Sequence, residues 1–250
     1  MTRILVPYHL DEHRPDLDVP FPADVTVTVD LPGADIWTRM SAVHQRVAQA
    51  VEAADTAPMV MTGDCTAAAG ILAGVQRRGI DPAIVWFDGH GDVQTLETTA
   101  SGYIGGMALR LLLGYRNDLV ADRLGLRPVP EDRVVLVDAR DLDPPEVEYL
   151  ATAAIRRQPV TAIEPPDGPI YLHLDLDVVD PAELPGLLFP APGGPGVDQV
   201  AAAIGAVMAT GRVVAVAVCC TWRSGFGAAE VLRPHLERAL SAPEAEAEFG

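Results

Sequence analysis

The stretch AIVWFDGHGD, residues 83–92, decides the fold. Residues 83–87 are apolar at every position, so both faces of an extended segment would be buried, as in a parallel sheet covered by helices on each side. The run then breaks at Asp88 into a glycine-bearing turn. Polar groups are therefore expected at the carboxyl end of a buried strand, where sheets of this kind bind their ligands.

Working outward, seven more strand-like runs follow the same pattern: RILVPY at 3–8, VTVTV at 25–29, PMVMT at 58–62, RVVLVD at 133–138, VTAIE at 160–164, IYLHLDLDV at 170–178 and RVVAVAVCC at 212–220. Segments of helical length and period lie between most of them, at 35–54, 66–78, 103–114, 144–157, 197–209 and 227–240. Strand alternating with helix predicts an α/β fold, a three-layer α/β/α sandwich around a mainly parallel eight-stranded sheet. Residues 1–240 read as one domain and the acidic SAPEAEAEFG at 241–250 as a flexible tail.

Acidic residues number 35 against 18 Lys and Arg, a formal charge of −17. Such a balance repels phosphate backbones and anionic lipid surfaces, so nucleic acid and membranes are poor partners and a small molecule is the expected one. Three scattered cysteines are not a disulfide framework and fit a reducing compartment. The N-terminal MTRILVPYHLDEHRPD turns charged too early for an export signal, and no run approaches the ~18 apolar residues of a membrane span. The expectation is a cytoplasmic protein.

Two runs carry the chemistry. FDGHGD places Asp88, His90 and Asp92 at alternate positions, and HLDLDVVD places His173, Asp175 and Asp177 likewise, so extended backbone would set each trio on one face. Carboxylates buried this close repel one another unless a cation holds them ionised, which points to a divalent metal site holding two ions. Carboxylates mixed with imidazole suit Mn, with Fe, Co or Zn as substitutes. Paired ions lower the pKa of a shared water and yield a hydroxide nucleophile, so hydrolysis at a trigonal carbon or at phosphorus is the expected reaction class. The Pro- and Gly-rich loop PAELPGLLFPAPGGPG, 181–196, should border this site.

The segment IVWFDGHGDVQTLETTASGYIGGMAL at 84–109 resembles the arginase and agmatinase (ureohydrolase) family pattern WxDAHxD, a Thr-rich loop, then SGxxHGM. HLDLDVVDP at 173–181 is similar to that family's SFDxDxxDP, TGDCTAAAG at 62–70 to its GGDHSxxxG, and Pro192–Gly194 to its PGG loop. The resemblance implies an arginase-like α/β fold with two Mn ions at the sheet's carboxyl edge. It implies that Asp88 and Asp175 bridge both ions, that His90 and Asp177 bind one, and that Asp92 binds the other with a His whose position is Cys65 here. It also implies that Thr99 and Ser101 hold the far end of a substrate, and that the chain forms a homo-oligomer, as family trimers and hexamers do.

Three departures stand out. Cys65 is either a soft ligand that shifts preference toward Zn, Fe or Co, or a small buried thiol; a Cys here also resembles the hydroxyarginine amidinohydrolases of the superfamily. Gly105 occupies the position of a family His that assists substrate binding and proton transfer. Cys220, less certainly Cys219, occupies that of a Glu anchoring the guanidinium. Asp88, as bridging ligand, and His173, as general acid or base, are the catalytic candidates, although His173 equally suits orienting a ligand or a structural place. Together these readings predict a Mn-dependent hydrolase cleaving a guanidino or amidino C–N bond with metal-activated hydroxide. The rivals are a catalytically silent homologue serving as a binding or assembly subunit, and a metal-dependent amide deacylase on the related fold.

Overall fold

The computed structural model describes residues 1–241. The main sheet has eight strands: β1 (Thr2–Val6), β2 (Val25–Thr26), β3 (Pro58–Thr62), β4 (Ala83–Asp88), β5 (Val134–Asp138), β6 (Arg156–Gln158), β7 (Ile170–Asp175) and β8 (Val213–Cys219). Their order is β2-β1-β3-β8-β7-β4-β5-β6, and every pairing is parallel. The α/β architecture expected from the alternation of strands and helices is therefore the observed one.

The two faces of the sheet are read directly from the strand period. On β4, Ile84 and Trp86 join a core with Ile4, Val60, Leu136 and Ala217, packed under helices α1 (Ile36–Glu52), α2 (Ala68–Arg77), α3 (Ala108–Leu112) and α4 (Ala121–Leu124). Val85 and Phe87 face the opposite core, with Met61, Val137, Leu174 and Val218 under α6 (Val197–Met208) and α7 (Ala228–Leu240). Helix α5 (Pro144–Leu150) lies between β5 and β6 in the chain. Helix α1 begins where the Asp35 carboxylate accepts the Thr38 N–H at 3.1 Å, a side-chain cap for an otherwise orphaned donor. Helices α1 and α2 pack so closely that a Cβ at Gly70 would lie 2.5 Å from the His44 carbonyl oxygen.

The structure corrects several boundaries. The strand expected at 160–164 is instead β6 at Arg156–Gln158, paired with β5, and the helix expected over 144–157 stops at Leu150. This edge strand is Arg-Arg-Gln, and a charged edge resists further pairing, so a search for β-branched runs passes over it. The helix expected at 103–114 is a short 3-10 turn, Gly105–Met107, leading into α3. Chain 170–178 is strand only as far as Asp175, followed by a 3-10 turn at Leu176–Val178. An antiparallel hairpin, Tyr8–His9 with Glu12–His13, follows β1 and had no signature in the sequence. Of the tail expected at 241–250, residues 242–250 lie outside the described residues. Among the described residues no helix is long and apolar enough to cross a membrane.

Candidate metal centre

Cys65, Asp88, His90, Asp92, Asp175 and Asp177 converge at the carboxyl ends of β3, β4 and β7. The route to convergence differs from the alternation expected of extended chain. Strand β4 ends at Asp88, so His90 and Asp92 sit in the following loop, and Asp92 has a left-handed φ of 54°. Asp177 likewise lies in the 3-10 turn after β7. Loop and turn, rather than strand pleat, aim these side chains.

Two donor groups share Asp88. Ligand atoms of Cys65, Asp88 and Asp92 lie within 4.8 Å of one another, as do those of Asp88, His90 and Asp177. Asp175 touches both groups: Cys65 Sγ donates to its Oδ2 at 2.9 Å, the Asp177 N–H to its Oδ1 at 3.1 Å, and Thr221 Oγ1 to the same Oδ1 at 2.7 Å. Asp88 accepts from Trp86 Nε1 at 3.0 Å and from the His90 N–H at 2.7 Å. His90 Nδ1 is 3.3 Å from Asp88 Oδ1 and 3.2 Å from Asp177 Oδ2.

Electrostatics make this cluster costly as it stands. Burial and then the neighbouring Asp88 and Asp175 carboxylates hold Asp92 well above the usual carboxylate range, and burial with Asp177 and Asp88 does the same to Asp175. Burial opposes protonation of His90, yet its bonds to Asp177 and Asp88 push it up to about 12. Asp92 Oδ2 is buried with no hydrogen-bond partner among the described residues. An orphaned buried carboxylate oxygen inside a ring of carboxylates fits a bound cation, and the donor set of carboxylate, imidazole and one thiol fits a divalent transition metal.

A cleft of about 180 Å³ opens onto this cluster, lined by Cys65, His90, Asp92, Asp175 and Asp177. Thr99, Ser101 and Gly105 also line it. Three other residues singled out from the sequence are not in its lining: Asp88, which is buried behind the lining carboxylates, Cys220 and His173. Cys220 packs into the core under α6 and α7, because side chains alternate along β8 and the cleft side is taken by Cys219 and Thr221, of which Thr221 reaches the cleft. Burial also pushes the Cys220 thiol up, so it supplies no negative charge. His173 is fully buried beneath the cluster, between Tyr171 Oη at 2.9 Å from Nδ1 and Cys219 Sγ at 3.4 Å from Nε2. Burial lowers its pKa to about 3, so it is a neutral supporting ring, and a general acid or base role is corrected to a structural one. With Cys65 and Cys219 it forms a third close group of donor atoms.

Sequence reading missed Gln94, Asp143, Glu146 and Thr221 in the cleft wall, whereas Phe189 belongs to the loop at 181–196 that was expected to border it. Asp143 accepts from Gln94 Nε2 at 2.8 Å, and Glu146 accepts the Val93 N–H at 3.2 Å and the Asp143 N–H at 3.1 Å. The run DPPE at 143–146 announces a helix start, and that signal hides a second use of the same carboxylates.

The arginase from Bacillus caldovelox is 35% identical over 155 residues, 55% of this chain and 52% of that protein. The N(omega)-hydroxy-L-arginine amidinohydrolase of Streptomyces lavendulae is 31% identical over 172 residues, 65% of this chain and 59% of that protein. The crystal structure of Bacillus subtilis arginase superposes with a TM-score of 0.80 at 24% identity, covering 96% of this chain and 97% of that one. The chain spans about half the length of the first curated relatives it matches, 52% in each case. The model of the arginase family matches residues 4–221, so this chain belongs to the arginase family.

Proposed function

We propose that this protein is a metal-dependent hydrolase that cleaves the C–N bond of a small guanidino or amidino substrate. The observation that carries the reading is Asp88, one carboxylate shared by two groups of donor atoms, with the unpaired Asp92 oxygen beside it. Cys65, Asp88 and Asp92 would hold one ion and Asp88, His90 and Asp177 the other, with Asp175 serving both; Mn is the first choice, and the Cys65 thiol widens it to Zn, Fe or Co. When bound, such a pair makes a water acidic enough to ionise near neutral pH and polarises the carbon under attack.

The chain's own residues supply selection and orientation. Asp143 and Glu146 line the cleft beside the cluster, and the described residues lining it include no Lys or Arg. That wall suits a cationic guanidinium and disfavours an anionic substrate. Thr99 and Ser101 offer hydroxyls at the exposed mouth, placed to hold the far end of the molecule. The continuous eight-stranded sheet supports reading residues 1–240 as one domain.

The test is elemental analysis of protein purified without chelators and after Mn loading, joined to hydrolysis of a guanidino panel by the wild type and by Asp88→Asn. Two ions per chain and an activity abolished by the substitution are expected. Fewer than one ion with no hydrolysis of any substrate would move the protein to the silent homologue.

A further inference from the structure

Gly105 lines the cleft with no side chain, and the space its Cβ would take is filled by another residue. The Tyr103 ring lies there, its Cε1, Cζ and Oη overlapping the ideal Cβ position. Tyr103 itself lines the cleft. Its ring is set between His9, stacked at 5.8 Å, and Phe189 at 4.9 Å between centroids. Its hydroxyl lies 3.1 Å from His9 Nε2.

The direction of that bond follows from the other side of the imidazole. His9 Nδ1 is 3.0 Å from the Gly63 carbonyl oxygen, which only accepts. In the neutral ring Nδ1 therefore carries the hydrogen, Nε2 is the acceptor, and the Tyr103 hydroxyl donates to it. The hairpin bearing His9 is fixed against the turn that presents Cys65: the Gly63 N–H donates to the Tyr8 carbonyl at 3.1 Å, and the Leu10 N–H to Asp64 Oδ2 at 2.6 Å. A chain of bonds thus runs from the backbone at Gly63 through His9 to a hydroxyl on a cleft-lining residue.

We propose that Tyr103 is the substrate-facing end of a two-residue proton relay with His9. The relay rests on the C–N hydrolysis proposed above. As a water oxygen bonds to the guanidinium carbon, a water proton passes to Tyr103 Oη while the phenol's own proton moves to His9 Nε2. On the return, Nε2 gives its proton back to Oη and the phenol delivers one to the departing nitrogen as the C–N bond breaks. The proton still on the added oxygen then passes to the freed amine, so that guanidinium and water become a urea-type product and an alkylammonium; no redox partner is needed, and both side chains end as they began. Burial holds the Tyr103 phenol above its ordinary range, which favours transfer through the hydroxyl over a free phenolate.

The experiment compares Tyr103→Phe, His9→Ala and Gly105→Ala with the wild type on the guanidino panel, each Mn-loaded and checked for metal content. Tyr103→Phe keeps the ring but removes the proton carrier, so kcat should fall by ~10²-fold with KM and metal content little changed. His9→Ala should fall similarly and regain activity with added imidazole, because His9 is only half-buried. Gly105→Ala, whose Cβ forces the ring away from His9, should resemble Tyr103→Phe. Wild-type kcat in Tyr103→Phe or Gly105→Ala overturns the relay alone, as does a His9→Ala defect that imidazole leaves untouched. A wild type that binds Mn and hydrolyses nothing overturns the hydrolase reading and the relay with it.

Discussion

The His173 imidazole lies flat on the Trp86 indole, 3.4 Å between ring centroids and 4° between planes. Each ring sits two residues before a carboxylate of the cluster, Asp88 and Asp175, and the indole N–H donates to Asp88 itself. This stacked pair is the floor that fixes the shared carboxylate.

Replacing Trp86 by Phe keeps most of the stack but removes that donor. Outer partners of ligating groups commonly contribute ~10–100-fold in metal affinity. Mn titration of Trp86→Phe should show weakening in that range, in addition to the lower Tm of the metal-free protein that truncating a fully buried indole brings. Unaltered Mn affinity would show that the indole bond does not position Asp88.

Metal should matter more at high pH. Asp92 and Asp175 have folded-state pKa values raised by burial and by neighbouring carboxylates, so their contribution to the metal-free fold is fullest below the ordinary Asp value and is lost as pH rises and the cluster ionises. A divalent ion removes that repulsion and is bound more tightly by the ionised groups. The Mn-induced rise in Tm is expected to be larger at pH 8 than at pH 5. An equal or smaller shift at pH 8 is the contrary result.

A separate pH effect belongs to His44, buried under α2 with its Nδ1 unpartnered. Burial pushes its pKa down to about 4, against a raising influence from Asp64. A depressed folded-state value means that stability is intact above the unfolded value near 6.5 and is lost as pH falls toward 4. His44→Leu leaves Thr66 bonded to Asp64 at 2.7 Å through its N–H, and its urea-derived stability should fall less than the wild type's between pH 7 and pH 5. Parallel declines in the two proteins would remove His44 as the cause.

Arg140 ties together the loops around the site. It pairs with Asp138 and donates to the Val178 carbonyl at 2.9 Å, the Ala191 carbonyl at 2.9 Å and the Pro192 carbonyl at 3.2 Å. Arg140→Ala strands a half-buried carboxylate and these carbonyls, and should cost about 3 kcal/mol in urea unfolding. Arg140→Lys should recover only part of this, since an ammonium cannot reach three carbonyls in the planar arrangement of a guanidinium.

What the sequence disclosed depended on how locally each feature is written. The buried strands are continuous apolar runs, so residues 83–88 and 170–175 were readable at once, and the DGHGD and LDLDV spacings brought the carboxylates with them. The aim of His90, Asp92 and Asp177 was not local, because it depends on loop backbone that ends the strand at Asp88. Cys220 was misplaced by one position of strand parity, which no composition argument resolves. The contact between Tyr103 and His9 spans 94 residues and arises from an irregular hairpin, so nothing near either residue announces it.

The order of the sheet also has a consequence for assembly. Strand β8, the last of the described strands in chain order, lies between β3 and β7, and the halves β2-β1-β3 and β7-β4-β5-β6 share no strand pairing without it. Cys65 belongs to one half, Asp88 and Asp175 to the other, and Thr221 follows β8 itself. Pairing across such long separations is slow and comes late. Until residues 213–219 are in place the chain lacks the seam that joins Cys65 to Asp88 and Asp175, so the group of Cys65, Asp88 and Asp92 is assembled later than that of Asp88, His90 and Asp177, which follows from the direct pairing of β4 with β7.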